Sequence, residues 1–345
     1  MFSRRNDPVV LTHVGHVIDR TLMFGGRVVR KGPLLPADES DTRWRNLRRM
    51  ARLFVASKVR GARVRAHFAG AQCEAVTDDQ GYFDVELELP EAPGGPLWQH
   101  AEVELVGPAP LERYRVRARA QVMVHPLNAQ YAVISDIDDT VVATNVTNKL
   151  KMLATVLLSN AHTRLPFKGV AAFYRALEDG RGGEHNPIFY VSNGPWNLHD
   201  VLVEFFELNR IPLGPIYLRD FGVHLVLSPG PPGSNKIDRI EHLMRVFPPV
   251  PVILIGDSGE HDPEIYARIA ESYPQRVRAI YIRCVHSAAS RRAELEALVS
   301  KVGALGIDFV LAGDSEQAAR HAAARGFIRP EALQDIHAEK QKDES

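Results

Sequence analysis

The sequence predicts an α/β chain in two parts: an antiparallel β-sandwich over residues 1–130 and a parallel sheet flanked by helices over residues 131–330. Three observations carry this. Before residue 131, short strand-like runs are separated by turns rich in Gly and Pro. After it, apolar runs alternate with helical stretches, which is the pattern of βα units. The run from Ala132 to Ile134 is wholly apolar and ends, past Ser135, in the carboxylates of Asp136, Asp138 and Asp139. Such a run reads as a strand buried on both faces. Open α/β sheets bind ligands at the carboxyl ends of their strands, so these acids stand where chemistry is done.

The 345 residues suffice for two domains and a large core. Formal net charge is zero, which points to no particular partner, and no nucleic-acid partner is expected. Cys73 and Cys284 form no metal-ligand spacing and no disulfide framework, which favours a reducing compartment. No apolar run approaches the length of a membrane span, and the polar N-terminus lacks the apolar core of a signal peptide. A cytoplasmic protein is expected, with contact to a membrane surface left open.

In the first part, strands are predicted at 9–14, 63–68, 82–89, 101–105 and 113–124, with Gly25-Gly26 and Pro93–Pro96 read as breaks. The turn from Thr77 to Phe83 resembles one in small transthyretin-like and carboxypeptidase-regulatory-type β-sandwiches, and a transthyretin-like or Ig-like sandwich is expected. Residues 42–73 hold nine basic residues and no acid. Within the basic segment 43–65, Trp44, Leu47, Ala51 and Phe54 recur at helical spacing between arginines. A basic amphipathic helix is one signature of attachment to an anionic membrane surface. A connecting helix with solvated arginines fits the same pattern. Arg113, Arg115, Arg117 and Arg119 alternate with less polar residues and read as one exposed strand face.

From residue 131, strands are predicted at 132–135, 188–191, 216–218, 252–255, 279–282 and 309–311. Helices are predicted at 146–158, 170–177, 198–208, 236–246, 263–270, 288–302 and 316–324, the last capped by Ser315. Residues 331–345 read as a polar tail.

Four places on this sheet's carboxyl edge carry polar residues in order: Asp136-Ile-Asp-Asp-Thr140, Ser192-Asn193, Lys236 at a helix start, and Gly256-Asp-Ser-Gly-Glu-His-Asp262. The ordered set resembles the four motifs of the haloacid dehalogenase superfamily. Residues 131–285, with Phe189-Tyr-Val-Ser-Asn-Gly-Pro-Trp196 and Ala279-Ile-Tyr-Ile-Arg283, are similar to the catalytic domain of actin-patch-protein-type phosphatidate phosphatases. The resemblance implies a Rossmann-like fold and a Mg²⁺-dependent phosphatase. It implies Asp136 as the nucleophile that forms an aspartyl-phosphate, and Asp138 as the acid/base. Asp136, Asp257 and Asp262, with the carbonyl of Asp138, would hold Mg²⁺, and Thr140, Ser192, Asn193 and Lys236 would bind the phosphate. The chemistry agrees, because a phosphate dianion repels an attacking carboxylate and transfer needs cations around its oxygens. A cation in the first turn of a helix, as Lys236 is, opposes the macrodipole unless an anion lies beside it.

Each residue also has a plainer reading. A lone Asp-x-Asp is a turn after a strand, Ser192 and Asn193 can cap the helix that follows, and Lys236 can be a surface lysine. Asp262 before Pro263 and Glu264 is an N-cap pattern in its own right. Asp139 reads as a loop residue, and His224, His242 and His261 have no metal-ligand spacing. The gaps after the first and second motifs leave no room for a large cap, so an open site is expected. The substrate expected is a phosphate monoester, phosphatidate or a related lipid phosphate first. Soluble or polymer-borne esters are the alternative within enzymes, and an inactive scaffold is the alternative outside them.

Overall fold

The computed structural model describes residues 7–30, 57–109, 111–124, 128–137, 140–141, 169–195, 199–219, 236–246, 250–284 and 289–344. The expected helix at 146–158, Asp138, Asp139, His224 and residues 43–56 of the basic segment lie outside these.

The first part is antiparallel β but for one short parallel contact, its strands joined in one hydrogen-bonded path. Its strands are β1 (Pro8–Thr12), β2 (Gly15–Ile18), β3 (Thr21–Arg30), β4 (Ser57–Lys58), β5 (Arg63–Phe68), β6 (Ala71–Val76), β7 (Tyr82–Glu88), β8 (Trp98–Gly107) and β9 (Arg117–Met123). β3 pairs with β1, β2, β4 and β7, and β2 meets β9. Leu22, Phe24, Val64, Val85, Val103 and Val122 share one core. Gly25-Gly26, expected to break the chain, lies inside β3. A Cβ on Gly26 would come within 2.5 Å of the Leu11 carbonyl and collide with the Phe83 ring, so close packing explains this glycine. In the turn before β7, the Asp78 carboxylate accepts from the backbone of Gln80 and Tyr82 at 2.7 and 2.9 Å. Arg117 and Arg119 do line an exposed face, where they pair with Glu104 and Glu102 across β8. Arg113 instead falls in a 3₁₀ turn, Leu111–Tyr114, that the single strand expected at 113–124 did not foresee.

The second part is a six-stranded parallel sheet in the order β12 (Ile216–Arg219), β11 (Ile188–Pro195), β10 (Ala132–Asp136), β13 (Val252–Asp257), β14 (Val277–Arg283) and β15 (Asp308–Ala312). Counted along the chain, that order is 3-2-1-4-5-6, which places the reversal of winding beside β10. Alternate residues of each strand face opposite cores. Val133, Ile253 and Tyr281 pack under α1 (Val170–Asp179), α2 (His199–Asn209), α6 (Ser315–Ala324) and α7 (Ala332–Glu344). Ala132, Ile134, Leu254 and Ile280 pack under α3 (Lys236–Val246), α4 (Asp262–Ser272) and α5 (Ala289–Gly303). Both faces are therefore covered, as a parallel sheet requires.

Two expectations are corrected here. Helix α6 is capped by Asp314, whose carboxylate accepts from the Gln317 amide at 2.8 Å, so Ser315 is its first residue and not its cap. The presumed polar tail is α7. Ile336 on it is fully buried, Glu339 accepts from the Ala172 amide at 2.8 Å, and Lys340 holds Asp314 at 2.6 Å. One buried apolar side chain and a few paired charges anchor a helix whose composition alone reads as solvated.

The two parts touch through buried groups. Leu97 and Met123 join the core of Ala132, Ile134 and Phe189. His16 Nε2 lies 3.2 Å from the Tyr217 hydroxyl, and the rings of His13 and His199 are 4.2 Å apart. Burial, then the charge of His242, pushes the His16 imidazole from 6.5 down to about 4. A histidine depressed in this way stays neutral in the fold while the unfolded chain takes up a proton. Stability is therefore complete above the unfolded value of 6.5 and is lost as pH falls from there through about 4. The loss amounts to about 3 kcal/mol. Urea denaturation at several pH values is expected to show this acid slope, and His16→Gln is expected to flatten it. An equal slope in the variant would assign the acid sensitivity elsewhere.

Candidate active site

Asp136 is the last residue of β10 and Asp257 the last of the neighbouring β13, so parallel pairing brings both to one edge. Asp136 is fully buried. Beneath it, the Ser135 hydroxyl is 2.7 Å from the Asp136 carbonyl and 2.6 Å from the Tyr174 hydroxyl.

Lys236 opens α3 and is buried. Its Nζ donates to Asp136 Oδ1 at 2.5 Å and to Asp262 Oδ1. Asp262 opens α4, whose N-cap is His261 with no side-chain cap bond. The Asp262 carboxylate points inward instead, with Oδ2 accepting from the Asp257 amide at 3.2 Å. Gly256 makes room for it, since a Cβ there would stand 2.5 Å from Asp262 Oδ2 and 2.7 Å from the Tyr266 ring. The N-cap pattern at Asp262-Pro263 thus opens a helix without the aspartate serving as its cap.

Asp257 Oδ1 accepts from the Gly259 amide at 2.6 Å, and Oδ2 lies 3.7 Å from the Arg283 guanidinium. Among the described residues, the group of carboxylates with oxygens within 4.8 Å of one another is Asp136, Asp262 and Glu260. Asp257 stands beside this triplet and is not part of it. Strand β11 runs on through Ser192 and Asn193 to Pro195. Ser192 is buried, with Oγ accepting from the Gly194 amide at 2.9 Å. Buried Arg239 donates to the Ser192 carbonyl and to Asn193 Oδ1 at 3.1 and 3.0 Å. Thr140 is buried, and its hydroxyl meets no hydrogen-bond partner among the described residues.

The electrostatics follow from burial. Desolvation alone would lower the pKa of the Lys236 ammonium, but the charges of Asp136 and Asp262 outweigh it and raise the pKa. Burial pushes the Asp262 carboxyl up, and Lys236 opposes that rise. Three carboxyl groups stand against one ammonium, those of Asp136 and Asp262 buried and that of Glu260 half-buried at the mouth of a cleft. An all-oxygen donor set of this kind suits a hard divalent cation. The buried acidic group can therefore hold a metal ion.

The site opens into a cleft of about 840 Å³ lined by Asn193, Lys236, Glu260, His261, Arg268 and Arg291, among others. Three groups that touch the site's residues are not singled out by the sequence: Glu260, Arg239 and Arg283. Glu260 lies between two expected ligands and so was within reach of a sequence reading. Arg239 follows Lys236 by three residues on one helix face, and Arg283 ends a strand on the working edge.

Residues 131–284 match the family model described as the catalytic domain of phosphatidate phosphatase APP1. The chain is 35% identical over 160 residues to phosphatidate phosphatase APP1 of Saccharomyces cerevisiae, covering 46% of this chain and 26% of that protein. It is 31% identical over 219 residues to an uncharacterized protein of Schizosaccharomyces pombe, covering 63% of this chain and 35% of that one. The chain thus spans between 26% and 35% of the length of these relatives. A carbohydrate acetylesterase structure from Xanthomonas citri aligns with a TM-score of 0.33 and 12% identity over 88% of this chain and 68% of that one, a likeness too slight to carry any argument.

Proposed function

We propose, from the premise that residues 131–284 are similar to an APP1-type phosphatase catalytic domain, that this chain is a phosphoric monoester hydrolase acting on phosphatidate or a related lipid phosphate. The observation that carries the reading is the buried Lys236 ammonium shared between Asp136 and Asp262 at the carboxyl edge of a parallel sheet. The fold is then of the haloacid dehalogenase type with a minimal cap, preceded by a β domain over residues 1–130.

Asp136 attacks phosphorus in line with the leaving oxygen. The P–O bond to the alcohol breaks and the bond to Asp136 forms, giving an aspartyl-phosphate. Asp138, which lies outside the described residues, gives its proton to the departing alkoxide. It then takes one from the water that attacks phosphorus and frees Asp136 and inorganic phosphate. Lys236 neutralises charge on the transferring group and orients Asp136. Ser192, Asn193 and Thr140 donate hydrogen bonds to the phosphoryl oxygens, and Arg239 holds the first two in position. Asp136, Asp262 and Glu260, with Asp257 beside them, would hold Mg²⁺, whose charge would offset that on the phosphoryl oxygens.

The lipid substrate rests on the name of the yeast relative and on the basic segment at 43–65, whose arginines suit an anionic bilayer. A cytoplasmic enzyme peripheral to a membrane fits this reading. Among the described residues no helix is long and apolar enough to cross a membrane. The test is Mg²⁺-dependent phosphate release from phosphatidate in mixed micelles, beside a panel of soluble phosphate esters. Turnover of the micellar substrate at least tenfold above any soluble ester is expected. Turnover of soluble esters alone would replace the lipid reading with the alternative. A folded, Mg²⁺-bound protein with no turnover of any ester would overturn the enzyme reading.

A further inference from the structure

We infer that Arg291 is a positioning residue that fixes the loop carrying Glu260 and so sets the affinity of the Asp136–Glu260–Asp262 carboxylates for a divalent cation. The inference rests on the metal site of the proposed function. Arg291 lies on α5, outside the motifs that drew attention in the sequence, and is one quarter exposed, at 24%. Its guanidinium reaches across to the β13–α4 connection. Nη2 donates to the carbonyls of Ser258 and Glu260, both at 3.3 Å, and to Glu264 Oε2 at 3.3 Å. Nη1 donates to Glu264 Oε1 and, at 3.1 Å, to Glu294 on its own helix.

One planar fork therefore grips the loop at two carbonyls, one of them that of Glu260 itself, and grips the first turn of α4 through Glu264. The loop is also held by the Ser258 amide on the Arg283 carbonyl at 2.9 Å, by the Gly259 amide on Asp257 and by the Asp257 amide on Asp262. Among these holds, Arg291 alone brings a side-chain cation to the Ser258 and Glu260 carbonyls, the backbone from which the Glu260 carboxylate reaches Asp136 and Asp262. Groups that orient metal ligands from behind typically govern affinity by 10–100-fold. A flexible ammonium cannot present the same fork, so lysine is a poor substitute.

The test is cation binding, read without turnover. Mn²⁺ binding to the full chain is followed by electron paramagnetic resonance, and Mg²⁺ is measured by its displacement. Arg291→Ala is expected to weaken both about 10–100-fold, and Arg291→Lys at least about threefold. Melting in EDTA separates the roles. A lower melting temperature with wild-type cation affinity in the folded Arg291→Ala protein would make Arg291 a brace between helices and overturn the inference. If that variant does not fold, Arg291→Lys decides, and wild-type affinity there overturns it equally. A wild-type chain that binds no divalent cation would overturn both the metal site and this inference. Binding by the wild type with no effect of either variant would overturn this inference alone.

Discussion

Asp136→Asn is expected to lower Mg²⁺-dependent phosphate release by at least about 10³-fold, a loss of about 4 kcal/mol of transition-state stabilisation. The amide keeps the shape of the carboxylate and can still accept a hydrogen bond from Lys236 through Oδ1. It has no anionic oxygen with which to attack phosphorus, so the covalent step is lost while the scaffold is kept. The fold is expected to hold to within about 1 kcal/mol, because the change removes one charge from a buried cluster with an excess of negative charge. Phosphate release and thermal melting measured on the same preparation check both halves. A loss of only a few-fold would move the nucleophile elsewhere and leave Asp136 as a binding group.

Lys236→Met is expected to act on stability and turnover together. Removing the ammonium takes away the cation that Asp136 and Asp262, both buried, share beside Glu260. Breaking a buried ion pair from one side typically costs about 3–5 kcal/mol. Denaturation in EDTA is expected to show a loss of that size. Excess Mg²⁺ is expected to recover part of it, since an ion that binds only the folded state stabilises by mass action. Turnover at saturating Mg²⁺ is expected to remain at least about 10²-fold low, because the cation no longer stands beside the transferring phosphoryl group. A variant as stable as the wild type in EDTA would mean that the cluster already holds protons in place of the ammonium charge. The present assignment of charges would then be wrong.

Much of the second part was legible along the chain. Its strands are short apolar runs set between helices, and a strand buried on both faces shows no polar alternation to confuse it. Hence 132–135 and 252–255 were found to within a residue or two of β10 and β13, and α3 over its whole length. The β domain was less legible. β3 hides Gly25-Gly26 in its middle, and β6, with its alternating half-buried and exposed residues, carries little apolar signal. The fate of such segments depends on partners far away in sequence, as the Phe83 ring over Gly26 illustrates.

In the candidate site, the order of motifs alone puts Asp136, Ser192, Lys236, Asp257 and Asp262 on one edge. Residue types and strand direction suffice for that, because a parallel sheet sends every strand's carboxyl end the same way. Which carboxylates converge was a matter of tertiary structure. Lys236 bridges Asp136 and Asp262 across 26 positions of chain on one side and 100 on the other. Glu260 turns in towards them, while Asp257 is drawn towards the Gly259 amide and Arg283. These outcomes rest on side-chain directions and on the space left by Gly256. Burial and charge balance act only once distant segments meet. The chain alone thus determined the kind of sheet and the chemical character of its working edge, and packing decided which groups on that edge face one another.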